Sequence, residues 1–154
     1  MPKISNIELI KTAKQPVLSI RTNTSTANLP SVLGESFKKI SEYLNEINEL
    51  MSDVPFVAFR SLDPEDLDIE VGFPVSRHLP GKNDVKASYI EETMAVFCMF
   101  RGSYSEMGPL YDEINNWIEK SEFRACGVYY EYYYNGIEFP ESELLTKVLI
   151  PVSK

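Results

Sequence analysis

Two amphipathic helical stripes, each flanked by strand-like runs, predict an α+β fold built of two pseudo-twofold-related β-α-β-β repeats. The first stripe is Leu33, Phe37, Ile40, Leu44 and Ile47; the second is Met107, Leu110, Tyr111, Ile114, Trp117 and Ile118. Phe37, Ile40, Tyr43 and Leu44 recur at one constant offset as Tyr111, Ile114, Trp117 and Ile118. Val71-Gly72-Phe73-Pro74-Val75 recurs at a slightly larger offset as Val148-Leu149-Ile150-Pro151-Val152, the drift a short loop insertion would produce. A half of this size buries its sheet poorly by itself. The expectation is therefore one domain, 1–154, in which half-repeats of about 1–77 and 86–154 pack across a groove, joined by a linker at about 76–86.

The elements follow in order. Ile7-Glu8-Leu9-Ile10 and Val17 to Thr22 read as strands, the second entered through Pro16. Asn28 or Ser31 is placed to cap the first helix, which ends near Met51. Phe56 to Arg60 and Asp68 to Val75 read as strands around an acidic turn at 62–67 that holds Pro64. Pro74 predicts an irregular end or an edge for the second of these. Pro80, Gly81 and Asn83 mark the linker. Tyr89-Ile90 and Met94 to Arg101 are the next strands. Ser103 and Glu106 have capping-box spacing ahead of the second helix, and Pro109 is tolerable so near its first turn. The tyrosine-rich run from Val128 reads as a strand, 136–143 as a loop, and Leu144 to Val152 as the last strand.

Composition narrows the function. A net charge of −8 argues against sequence-independent binding to DNA or to an anionic membrane, since both need basic surface. No run approaches the ~20 apolar residues a spanning helix needs, and the start of the chain has no signal-peptide pattern. Cys98 and Cys126 both lie in apolar strand-like sequence and read as reduced core residues of a cytoplasmic protein. Two cysteines and the lone His78 make no zinc constellation, and no cofactor motif is present. Ser103 and Ser105 have no histidine at a readable spacing, so serine catalysis is unsupported.

The most informative stretch is Tyr129-Tyr130-Glu131-Tyr132-Tyr133-Tyr134. Alternation along a strand puts Glu131 on one face with Tyr129 and Tyr133, and turns Tyr130 and Tyr132 the other way. If that face looks inward, a carboxylate sits among aromatic rings, an arrangement suited to lipophilic cations. The alternative is a solvated strand glutamate. Aligning Pro55 with Gly127 sets Phe59 at the position of Glu131, which makes Phe59 the expected opposite wall. Trp117 on its apolar stripe and Phe73 on its strand read as core, and Glu70 is either a second pocket acid or, as the expectation, a residue at a solvated strand edge.

Several of these segments together resemble the gyrase-inhibitor-like small-molecule-binding family, which also supplies the effector-binding domain of AraC- and MerR-type multidrug-responsive bacterial transcription regulators. They are Arg101-Gly102-Ser103-Tyr104, Trp117-Ile118, Tyr130-Glu131-Tyr132-Tyr133, the run from Pro140 to Val148, Ile150-Pro151-Val152, and the strand Asp68 to Val75. The resemblance implies a curved, barrel-like antiparallel sheet with two main helices around a pocket between the halves. It implies that Glu131 is the buried glutamate that holds lipophilic cations, with Tyr129, Tyr133, Trp117, Phe59 and Phe73 as candidate lining. The chain looks like the stand-alone form, without a helix-turn-helix, so DNA binding would need a partner. Some stand-alone relatives hydrolyse cyclopropanoids or isothiocyanates, which gives Glu131 an alternative role as a catalytic carboxylate. A protein-interaction role, such as gyrase inhibition, is the third reading.

Overall fold

In the computed structural model, which describes residues 3–61, 63–136 and 138–154, the strands are β1 (Glu8–Thr12), β2 (Gln15–Thr24), β3 (Phe56–Phe59), β4 (Leu67–Pro74), β5 (Lys86–Ile90), β6 (Thr93–Arg101), β7 (Arg124–Ala125), β8 (Tyr129–Tyr133) and β9 (Leu145–Ser153). Helix α1 (Leu29–Glu46) follows β2, and α2 (Gly108–Glu119) follows β6. Leu62 and Ile137, members of the turns expected at 62–67 and 136–143, lie outside the described residues. No described helix is long and apolar enough to cross a membrane.

The chain divides into two compact units: Ala13–Glu92, and Thr93–Lys154 together with the N-terminal segment up to Thr12. This differs from the expected halves. The first strand, β1, pairs with β6 through Glu8↔Phe97 to Thr12↔Thr93, so it belongs with the C-terminal unit. In turn β5 pairs with β2, and the segment expected as a linker lies inside the 13–92 unit, with Leu79 and Val85 buried in its core.

The two units repeat one topology. In the 13–92 unit the antiparallel order is β3-β4-β2-β5; in the C-terminal unit it is β8-β9-β6-β1, with β7 also on β9. The fold is α+β, with β2-α1-β3-β4 and β6-α2-β8-β9 as its repeats. Each helix lays its apolar stripe on one sheet face. Ile40, Tyr43 and Leu44 pack on Leu18, Ile20 and Phe73; Leu110, Ile114 and Ile118 pack on Val96, Cys98, Val148 and Ile150. Burying each such side chain stabilises by about 1.5–3 kcal/mol.

The strand ladders correct the alignment of the halves. Val57 lies opposite Val71, and Phe59 opposite Ile69. Glu131 lies opposite Val148, and Tyr133 opposite Thr146. With Val71 matching Val148, the counterpart of Glu131 is Val57, and Phe59 is the counterpart of Tyr133. Alignment of the sequence on Pro55 and Gly127 is out of step by one full alternation, which preserves the face of every side chain and so escapes an alternation argument.

Other expectations shift for local reasons. Helix α1 begins at Leu29, with Asn28 at the N-cap position but without a side-chain cap bond. The Ser103–Glu106 capping box forms on a 3-10 turn, Tyr104–Glu106, just before α2. Pro74 ends β4, a central strand between β3 and β2, rather than an edge. Its neighbour Gly72 is required there: a Cβ would stand 2.7 Å from the Phe56 ring and 2.9 Å from the Leu18 carbonyl. Cys98 is buried, whereas Cys126 is exposed just past β7, and neither forms a disulfide.

Candidate functional site

Glu131 lies on the sheet face that α2 covers. Its direct cross-strand neighbour is Val148, a member of the core beneath that helix, and Tyr129 packs against the same core. The phase read from the alternation therefore holds: Glu131, Tyr129 and Tyr133 face the helix, and Tyr130 and Tyr132 are buried on the opposite face, where they stack on each other.

Two phenols donate to the carboxylate. Tyr111 Oη donates to Glu131 Oε2 at 2.5 Å, and Tyr133 Oη to Oε1 at 2.7 Å. Two further rings enclose them. Tyr129 stacks on Tyr111 with centroids 5.8 Å apart, and Tyr104 meets Tyr133 edge-on at 5.6 Å. Tyr104 is the most exposed of these rings, at 47 %. The result is one carboxylate held inside four tyrosines, all from the C-terminal unit.

The electrostatics follow from burial. Glu131 keeps some access to solvent, yet most of its surroundings are protein. Burial raises its carboxyl above the usual glutamate range, while the Tyr111 and Tyr133 hydrogen bonds pull the other way. Burial first, and the Glu131 charge second, hold the Tyr111 and Tyr133 phenols well above their ordinary value, so both remain donors at neutral pH. No lysine or arginine pairs with Glu131 among the described residues. The carboxylate is thus solvated by neutral dipoles, without a counter-charge among the described residues.

The other candidate residues have these surroundings. Trp117 packs against the core beneath α2 and lines a shallow depression with Lys3, Ile7 and Glu113. Phe73 lies in the helix-facing core of the 13–92 unit, against Phe37 at 5.7 Å, and Phe59 sits at the end of β3 in that unit. Glu70 is not at a solvated edge. It is 9 % exposed, accepts from Ser19 Oγ at 2.6 Å, and pairs with Arg60 Nη2 at 2.8 Å. His78 is exposed and stacks on Tyr89.

Sequence reasoning missed Tyr111 and Tyr104 as site residues. A signal for Tyr111 was present in the repeat. Its counterpart is Phe37, so the chain gains a hydroxyl at that position in one half only. The ladder registers extend the comparison: Val57, Phe59 and Ile69 in one unit are Glu131, Tyr133 and Thr146 in the other. Four apolar positions of one repeat carry oxygen in the other, and all four lie on the helix-covered side around one carboxylate.

Two β-α-β-β repeats, each with a helix on one sheet face, define the chain as an α+β domain. The chain belongs to the family of GyrI-like small molecule binding domains, whose pattern it matches over residues 5–153. Among curated proteins no sequence match is found. Solved structures share the fold. EcmrR, seen in an EcmrR–DNA complex by cryo-electron microscopy, superposes with a TM-score of 0.84 at 16% identity over 97% of this chain and 57% of that one. The chain therefore spans somewhat more than half of the EcmrR polypeptide. A hydrolase from Listeria innocua matches with a TM-score of 0.71 at 16% identity, over 99% of this chain and 94% of that one. SAV2435, solved bound to tetraphenylphosphonium, matches with a TM-score of 0.68 at 10% identity, over 97% and 94%.

Proposed function

We propose that the Glu131 cluster captures lipophilic organic cations. The observation that carries this is a carboxylate without a cationic partner among the described residues, held by two phenols and walled by four tyrosine rings. A bound cation supplies the missing counter-charge, and ring faces add cation–π attraction of about 0.5–2 kcal/mol each. Apolar area on the ligand adds roughly 25 cal/mol per Å² buried. The net charge of −8 favours approach of cations. The binding of tetraphenylphosphonium by SAV2435 is consistent with this chemistry in the same fold.

The test is titration of wild type and Glu131→Gln with a cationic dye such as rhodamine 6G and with a neutral ligand of similar shape. The exchange keeps the outline of the side chain and removes its charge. Cation affinity falls by about 1–3 kcal/mol, a typical cost of losing a charged partner in a buried site, and the neutral ligand is affected less. Equal losses for both ligands, or none, overturn the reading.

A second reading rests on the raised Glu131 carboxyl. A group shifted toward neutrality and held by two phenols has the properties of a general base for an attacking water, and a hydrolase shares the fold. Turnover of an electrophile such as an isothiocyanate, abolished in Glu131→Gln, would favour it over capture alone.

A further inference from the structure

Thr146 carries the one buried side-chain polar atom with no hydrogen-bond partner among the described residues. It is 0 % exposed, on β9, directly opposite Tyr133 on β8 and Phe100 on β6. Glu131 shares a strand face with Tyr133 at the next position along, which makes Thr146 its diagonal cross-strand neighbour, within about 8 Å by ordinary sheet geometry.

The fold does not ask for a hydroxyl there. The counterpart of Thr146 in the other repeat is Ile69, itself fully buried, at the same place in the ladder. An apolar β-branched residue fills that position without difficulty. A buried hydroxyl left unpaired destabilises the folded state. Three neighbouring exchanges of the same kind, Tyr111, Glu131 and Tyr133, make one hydrogen-bonded group. The fourth adds an oxygen beside that group with nothing to bind.

We propose that Thr146 is a ligand-binding residue of the Glu131 site, and that the site is built for cations bearing N–H groups, protonated amines or amidines, rather than for fully substituted onium ions. This rests on the capture reading of Glu131. One ligand N–H takes Glu131 Oε1 in place of the Tyr133 hydroxyl. The Tyr133 ring, which is the direct cross-strand neighbour of Thr146 and meets the half-exposed Tyr104, turns aside. A second N–H is then accepted by Thr146 Oγ1. A quaternary ammonium satisfies the charge of Glu131 but leaves Thr146 unpaired.

The experiment compares 2-(2-naphthyl)ethylammonium with its N,N,N-trimethyl counterpart by isothermal titration calorimetry at neutral pH, on wild type, Thr146→Val and Thr146→Ser. Thr146→Val weakens the primary ammonium about tenfold and moves the trimethyl compound by less than twofold. Thr146→Ser keeps the hydroxyl and the wild-type ratio of affinities, which separates the hydroxyl from any general change in packing. A ratio unchanged in Thr146→Val, or lost equally in Thr146→Ser, overturns the proposal while leaving capture by Glu131 standing. Failure of wild type to bind either probe overturns both.

Discussion

Replacing Thr146 by valine exchanges a hydroxyl for a methyl in nearly the same volume, and the protein is expected to gain stability. The hydroxyl is fully buried and unpaired among the described residues, so its removal relieves a desolvation cost of about 1–3 kcal/mol. The added methyl stays inside the sheet layer that Ile69 occupies in the other repeat. Imperfect fit offsets part of the gain, and the expected net is about 1–2 kcal/mol. Urea denaturation reads this directly. With a slope of about 1–3 kcal/mol per M, the midpoint rises by roughly 0.3–2 M at an unchanged slope. Thr146→Ser keeps the hydroxyl, loses a methyl, and should lower the midpoint. A Thr146→Val midpoint at or below wild type would show that the hydroxyl is satisfied in solution and would refute its role as an unpaired group of the site.

Two further outcomes follow from the ionisable groups. Burial raises the Glu131 carboxyl above 4.5, so the native state holds that proton more tightly than the unfolded chain does. Its contribution to stability is full below the ordinary carboxylate range and is lost as pH rises through the folded value. The stability of wild type relative to Glu131→Gln should therefore decline as pH rises from about 4.5, and Tyr111→Phe, which removes a donor to the carboxylate, should extend the decline to higher pH; parallel pH curves for wild type and Glu131→Gln would contradict it. Cys126 is exposed, whereas burial both shields the Cys98 thiol and pushes it up, so a native thiol titration should find one fast group and denaturation should release a second; two fast thiols in native protein would refute that placement.

The repeat is legible in the sequence because burial follows the helical stripes. Ile40 and Ile114, equivalent positions of the two stripes, are both fully buried under their helices. The phase of the tyrosine strand is legible too, since alternation decides which side chains share a face. Register is not. A slip by one full alternation leaves every face unchanged, so the sequence sets Phe59 against Glu131 where the ladder places Val57. The exchange of β1 and β5 between the units is hidden for a related reason: pairing between strands far apart in the chain leaves no local mark, as at Thr12↔Thr93. Glu70 looks like an edge residue because its partners, Ser19 and Arg60, come from β2 and the end of β3. Tyr111 looks like an ordinary stripe residue, and only its Oη, aimed at Glu131, separates it from Phe37.

The repeat then acts as an internal control for function. Two halves with one topology share the requirements of folding, so a residue that folding demands should recur, and one that binding demands need not. Gly72 does not recur at Leu149, and its reason is local, the approach of Phe56. The set Tyr111, Glu131, Tyr133 and Thr146 does not recur either. Its counterparts Phe37, Val57, Phe59 and Ile69 are all hydrocarbon, and Val57 and Ile69 are fully buried. A single buried carboxylate in that layer would be costly, and the two phenols reduce the cost without cancelling it, since the Glu131 carboxyl remains raised. Apolar residues at these four positions are compatible with the fold, as the other half demonstrates. The polar set therefore costs stability, and a ligand that completes the carboxylate and the Thr146 hydroxyl together, as proposed above, would offset that cost.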